Sequence, residues 1–243
     1  MKKIIGILFI SIIVLSCSKD EPVPVMTVQN KDIALYHDKT EAIVVKNAKD
    51  IVIYTPENKL IATVSEDGVV TGGVRGKTSI IVSSAGETAS VNVSVSTLIN
   101  FIPEPYLKFG QSFEAVKGEL EKNGSVIVSN GNLVQLHTID GKECSYVYLF
   151  ENGNMKSCGF LIEVLSKTMG SIVDFLMERY VVVAKTGTYS YMFITPDKKT
   201  EIYLSPSDDM EYIVILYLPA SETKSANQPD TNNIDNIVKY AVK

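Results

Sequence analysis

The 243-residue chain carries 23 basic and 28 acidic side chains, a net charge of −5 and a pI near 5.2. Beyond Lys2 and Lys3 it has no cluster of Lys and Arg, which excludes a nucleic-acid partner, because neutralising phosphates requires basic side chains gathered on one surface. Its 45% apolar residues, with 12 tyrosines and no tryptophan, are material for two modest hydrophobic cores.

Residues 1–17 read as a leader. Lys2 and Lys3 make a basic start, and Ile4 to Leu15 make an apolar run too short to cross a bilayer as a mature helix. Val14-Leu15-Ser16-Cys17 resembles the lipobox of bacterial lipoproteins. The resemblance implies cleavage before Cys17 and lipid on both its sulfur and the new amino terminus. Each buried methylene contributes about 0.8 kcal/mol, so two or three acyl chains hold a soluble body on a membrane almost permanently. Ser18-Lys19-Asp20-Glu21 is similar to the charged export signal of some Gram-negative surface lipoproteins. The expected location is therefore the outer membrane, lipid-anchored, and on this tetrapeptide facing outward. Residues 18–26, with Pro22 and Pro24, form a short stiff tether.

Residues 27–97 are a series of short β-rich runs: Ile33–Tyr36, Ala42–Val45, Ile51–Tyr54, Leu60–Val64, Ser79–Val82 and Ala89–Val95. Turn residues divide them, and in the last run Val91, Val93 and Val95 alternate with Ser90, Asn92 and Ser94. That is the pattern of a half-buried strand in a sandwich. The stretch Asp67-Gly68-Val69-Val70-Thr71-Gly72, followed by Gly76-Lys77-Thr78-Ser79-Ile80-Ile81-Val82, resembles the bacterial Ig-like group 2 family. Gly68, Gly72 and Gly76 are expected to make tight turns with φ > 0. The resemblance implies a spacer or adhesive unit and transfers no catalytic residue.

Residues 98–220 alternate helical and strand periods, which makes the whole an all-β Ig-like sandwich followed by an α+β domain. Ser112 is placed to cap a helix from Phe113 to Asn123 whose stripe is Phe113, Val116 and Leu120. A second helix covers Thr168 to about Arg179, with Met169, Ile172, Val173, Leu176 and Tyr180 on one face. Three strands are expected after each helix, and Ser145-Tyr146-Val147-Tyr148-Leu149 matches Ser190-Tyr191-Met192-Phe193-Ile194. The match reads as a duplicated helix-plus-antiparallel-sheet unit. With Phe109-Gly110-Gln111-Ser112 and Glu114-Ala115-Val116-Lys117, that arrangement is similar to the β-lactamase-inhibitor-protein-like fold. Relatives of that shape include small outer-membrane assembly lipoproteins, although fold alone does not fix function. Residues 221–243 form a polar tail whose Ile237, Val238, Tyr240 and Val242 are able to dock as a terminal strand or helix.

Little in the chain marks chemistry. Of two histidines, His37 falls in a turn and His137 in a strand, and neither has a second His or Cys at ligand spacing. Asp208-Asp209 and Glu211 lack the alternation of a calcium loop. Cys144 and Cys158 flank the hairpin signal Asn152-Gly153, and an unbroken register would set Cys158 opposite Val147 and Cys144 opposite Leu161. The thiols would then point to opposite faces and stay unpaired. Tyrosines are the remaining candidates. Tyr146 and Tyr148 share one strand face, and Tyr189 and Tyr191 share another. They could grip a protein or glycan if that face is open, or pack beneath the helices if it is not.

The expectation is a monomeric, non-catalytic lipoprotein without cofactor or metal, binding a protein or glycan at the envelope with the Ig-like unit as spacer. The alternatives are an envelope-assembly or inhibitor-like protein docking through the sheet of the second domain, and a polysaccharide hydrolase.

Overall fold

The computed structural model describes residues 24–139, 141–163, 168–207 and 211–220. The leader, Cys17, most of the tether, Asp208-Asp209 and the tail lie outside the described residues.

The amino-terminal domain is a β-sandwich. Its strands are β1 (Thr27–Val28), β2 (Asp32–Tyr36), β3 (Thr40–Ala42), β4 (Val45–Lys46), β5 (Ile53–Pro56), β6 (Ala62–Val64), β7 (Val69–Gly72), β8 (Gly76–Ser84) and β9 (Glu87–Ser96). One sheet runs β2-β9-β8-β5 and the other β3-β7-β6, with β1 and β4 paired separately. The β2–β9 pair is parallel and the other pairs are antiparallel. Ile33, Ile80, Val82, Val91 and Val93 are buried between the sheets, and each such side chain contributes roughly 1.5–3 kcal/mol.

Three local expectations need correction. Ala42–Val45 is not one strand, because the chain leaves β3 after Ala42 and begins β4 at Val45. The sequence reading has no strand between Val64 and Ser79, yet β7 lies there and is the middle strand of its sheet. Of the three glycines, only Gly68 has positive φ, at 79°. Gly72 is needed for close approach: a Cβ there would stand 2.5 Å from the Tyr36 carbonyl oxygen.

The second domain contains helix α1 (Phe113–Leu120), a 3-10 turn (Glu121–Asn123), and strands β10 (Val126–Ser129), β11 (Asn132–Ile139), β12 (Lys142–Glu151) and β13 (Asn154–Glu163). Helix α2 (Thr168–Met177) then precedes β14 (Val181–Lys185), β15 (Tyr191–Ile194), β16 (Thr200–Pro206) and β17 (Tyr212–Pro219). The eight strands form one antiparallel sheet in the order β10-β11-β12-β13-β17-β16-β15-β14. Each half is thus a helix followed by a four-stranded meander, and the halves meet at β13 and β17. The matched pentamers do not follow this symmetry: Ser145–Leu149 lies on the third strand of its meander, and Tyr191–Ile194 is the second strand of the other.

Ser112 caps α1, its hydroxyl accepting from the Ala115 amide at 3.4 Å. Val116 and Leu120 of α1, and Ile172, Phe175 and Leu176 of α2, bury against one face of the sheet. Phe175, missing from the expected stripe of α2, is 1% exposed.

The β12–β13 hairpin also departs from expectation. Phe150 pairs with Met155 but Leu149 pairs with Ser157, so Lys156 is an extra residue, a β-bulge. The bulge lets Met155 bury in the core while the Lys156 ammonium meets Glu151 outside, at 2.8 Å. Every later pair slips by one. Cys158 sits opposite Tyr148, and Cys144 opposite Ile162. Both thiols therefore point into the same core, yet they are four residues apart along the ladder. Four residues at about 3.4 Å each exceed the ~7 Å Cα limit of a disulfide. Both are buried and free.

Candidate cleft beneath the 99–109 strap

Between the domains, residues 99–109 cross the helix-bearing side of the sheet as an extended strap. Pro103 and Pro105 bias it away from helix, while Ile102 buries in the core and Phe101, Leu107 and Phe109 pack against it. Two tyrosines pin the strap. The Tyr146 hydroxyl donates to the Pro103 carbonyl at 2.6 Å, and the Tyr106 amide donates to the Tyr148 hydroxyl at 3.3 Å.

This placement corrects the reading of Tyr146 and Tyr148 as partner-binding residues. They are 0% and 1% exposed, and burial holds both phenols well above their ordinary pKa, so they serve as neutral core hydroxyls. Tyr189 is 47% exposed on the bend before β15. Tyr191 is partly buried, stacked on Phe193 at 6.0 Å with the Lys185 ammonium 5.4 Å over its ring. Three strands separate β12 from β15, so the four tyrosines form no common patch. Tyr203 belongs to the opposite face of the sheet and Tyr217 to the helix-side core.

Beside the strap opens a cleft of about 370 Å³ lined by Glu104, Tyr106, Glu119, Asn123, Gln135 and His137, among others. Its size is at the lower end of the range for small-molecule sites. Gln135 donates to the Leu120 carbonyl at 3.2 Å, closing the carboxyl end of α1. The His137 ring stands edge-on to Tyr146 with centroids 5.7 Å apart. Its Nε2 is buried without a hydrogen-bond partner among the described residues. Burial lowers the His137 pKa and pushes the thiol of Cys144, its cross-strand neighbour, up to about 11. Both groups are accordingly neutral at pH 7. His37 lies in the β2–β3 turn, where its Nδ1 is 2.8 Å from the Gly73 carbonyl oxygen. Among the described residues no cluster of His, Cys, Asp or Glu could hold a metal.

One end of the cleft is built on a charged junction. The guanidinium of Arg179, its side chain 1% exposed, donates to Glu104 at 2.9 Å, to Asn100 at 2.8 Å and to the Phe175 carbonyl at 3.1 Å. It also lies 3.7 Å over the Phe175 ring. Arg75, from the sandwich, reaches the same Glu104 carboxylate at 2.6 Å. Burial acts upward on the Glu104 pKa, but hydrogen bonds from Arg179 and Arg75 carry it below the ordinary value. Glu178, 5% exposed, accepts the amides of Leu98 and Ile99 at 3.0 and 2.9 Å. Its own carbonyl accepts the Arg75 amide at 2.7 Å.

The sequence reading missed the cleft and the junction. The one local signal was Pro103-Glu104-Pro105-Tyr106, two prolines bracketing a charge; the partners lie 29 to 75 residues away in the chain.

No family model matches the chain, and no curated protein matches it. Among solved structures it is similar to domains 5–6 of the S-layer protein SbsC, at 12% identity and a TM-score of 0.25, over 82% of this chain and 86% of that one. It is also similar to an intimin mutant of EHEC O157:H7, at 11% identity and a TM-score of 0.27, over 79% of this chain and 98% of that one. Among the described residues no helix is long and apolar enough to cross a membrane.

Proposed function

We propose that this chain is a non-catalytic lipoprotein of the cell envelope. Lipid on Cys17 anchors it to the outer membrane, the Ig-like sandwich serves as spacer, and the second domain, two copies of a helix-plus-meander unit on a β-lactamase-inhibitor-protein-like plan, binds a protein or glycan partner.

The observation that carries the reading is the cleft beneath the strap. Polar side chains from the strap, the end of α1 and β11 line it together, His137 among them, and the buried Nε2 of that ring has no hydrogen-bond partner among the described residues. The charges at its rim are already answered, Glu104 by Arg75 and Arg179 and Glu119 by Lys122 at 2.7 Å. An uncharged hydrogen-bonding group, such as a sugar hydroxyl or a peptide amide, therefore suits the cleft better than an ion does. The neutral imidazole and protonated thiol favour binding over nucleophilic chemistry.

The test is binding of the full-length protein to arrays of envelope glycans and peptides, with His137→Ala and Tyr106→Ala as variants. Saturable binding weakened at least about tenfold by both variants, without turnover, is expected. Turnover of any array member, lost on a single carboxylate change, would overturn the reading. Protease shaving of intact cells, with Cys17→Ala as control, reports separately on the anchor: digestion of the wild type on unbroken cells is the outcome expected of an outward-facing lipoprotein.

A further inference from the structure

The sandwich receives the chain at one end and releases it at the other. At the receiving end the Met26 amide donates to the Glu87 carboxylate, which also meets the Lys49 ammonium at 2.7 Å. The Val25 carbonyl accepts from the Asn47 side chain at 3.4 Å, and the Asp50 amide donates to the Ser84 hydroxyl at 3.2 Å. The 47–52 loop and the β8–β9 turn at Ala85-Gly86 are thereby gathered around the point where the tether enters. At the opposite end lie the start of β8, the end of β9 and, beyond them, the strap. Gly76 and Ser84 bound β8, and a strand of that length spans about 27 Å. Single exposed apolar side chains are ordinary on any surface, but their distribution here is uneven. Among the described residues the most exposed large apolar side chains are Ile51 at 80%, Val25 at 62% and Ile53 at 59%, and all of them belong to the receiving end. Val25 directly precedes Met26, Ile51 follows Asp50, and Ile53 pairs with Ser83, one residue before the end of β8.

We propose that this end of the sandwich rests on the membrane, with Ile51, Val25 and Ile53 in contact with lipid. The inference rests on the anchoring at Cys17 proposed above. Val25 is eight residues after Cys17, at most about 26–29 Å of chain, so an anchored molecule has the bilayer permanently within reach of this end. That proximity favours lipid over a soluble partner. Once the acyl chains have brought the two surfaces together, a small apolar contact is intramolecular in effect and needs little affinity of its own. Charge does not drive it. The acidic pair Glu66-Asp67 sits in the β6–β7 turn, set back at the level of Tyr54, whose hydroxyl a Cβ on Gly68 would meet at 2.6 Å. The contact therefore takes a neutral lipid surface and is insensitive to salt.

The test uses the mature lipidated protein in vesicles of phosphatidylcholine and phosphatidylethanolamine, part of the phosphatidylcholine being brominated on its acyl chains. Cys144 and Cys158 are buried, so a thiol-directed bimane reports from one introduced cysteine. The positions are Ala48→Cys in the 47–52 loop and Lys39→Cys after the β2–β3 turn, at the opposite end beside Tyr36 and Ser96. Bromine should quench the Ala48 label at least about threefold more than the Lys39 label, equally at low and high salt. With Ile51→Asp and Ile53→Asp added, quenching at Ala48 should fall to the Lys39 level. Both isoleucines face solvent, so the melting midpoint should hold; if it drops, the contrast between the two labels without those changes decides. Equal quenching of both labels would overturn the proposal. Quenching at Ala48 that survives the double substitution would do the same, since the tether alone then sets the distance. An unquenched Ala48 label, with amides of residues 47–53 slowing as protein density rises, would assign the end to a second copy and overturn it equally. Mass spectrometry of Cys17 reports on the anchor separately. Were it unacylated, the same label pair on a chain from Ser18, held by an amino-terminal histidine tag on nickel-chelating lipid, would still decide the surface.

Discussion

Glu104 shows how one residue answers for two domains. Its carboxylate accepts from Arg75 of the sandwich and from Arg179, two residues past the end of α2, and its pKa is held below the ordinary 4.5. A depressed folded-state pKa contributes stability that is present above the unfolded value and is lost as pH falls through the folded one. Glu104→Gln should therefore destabilise the protein at pH 7 and lose its effect progressively below about pH 4.5, where the wild-type carboxylate also protonates. Urea unfolding at pH 7 and pH 3 reads this directly, and an equal penalty at both pH values would refute it. Arg179 sits deeper: its side chain is 1% exposed. Arg179→Ala removes the hydrogen bonds to Glu104, Asn100, Thr97 and the Phe175 carbonyl and the contact with the Phe175 ring; because Glu104 is half-exposed and keeps Arg75, a loss of about 1–3 kcal/mol in urea unfolding is expected.

At the scale of elements, the strap is held by bonds that sequence patterns do not display. Tyr146→Phe keeps the buried ring and deletes only the bond to the Pro103 carbonyl. A loss of about 1–2 kcal/mol is expected, with faster amide exchange confined to residues 99–109. If exchange instead rises throughout the sheet, the hydroxyl supports the core and not the strap. Local chemistry was legible beforehand. The Ser112 cap, the α1 stripe and the alternation of Val91, Val93 and Val95 each depend on neighbours within four residues. The Lys156 bulge was not legible, because it is fixed from outside the hairpin. Met155 exchanges hydrogen bonds with the segment before α1, its amide donating to Gln111 and its carbonyl accepting from Gly110, both at 2.8 Å. The buried Asn132 side chain takes the Phe150 amide at 3.0 Å. Strand β14 escaped for a related reason, since Val181-Val182-Val183 is an apolar run without alternation that follows a helix directly. The face of the tyrosines was undecidable in sequence because both faces of the sheet are apolar.

At the scale of the whole molecule, the junction determines whether the two domains move against each other or as one body. A domain of about 70 residues buries too little surface to be more than marginally stable alone, and here its neighbour supports it. The Arg75 amide donates to the Glu178 carbonyl, and the Leu98 and Ile99 amides that leave the sandwich donate to the Glu178 carboxylate. Val181 of β14 packs against the sandwich core. A unit built this way should unfold in one calorimetric transition, with calorimetric and van't Hoff enthalpies equal. Glu178→Ala strands two amides, each at about 1–3 kcal/mol, and should split the transition, the sandwich melting first. Two transitions already present in the wild type would mean that the domains hinge freely. A single transition that persists in Glu178→Ala would move the coupling to the Arg75–Glu104–Arg179 cluster. A rigid junction holds the cleft at a fixed distance and orientation from the sandwich, so the binding proposed above would meet no entropic cost of arresting a hinge.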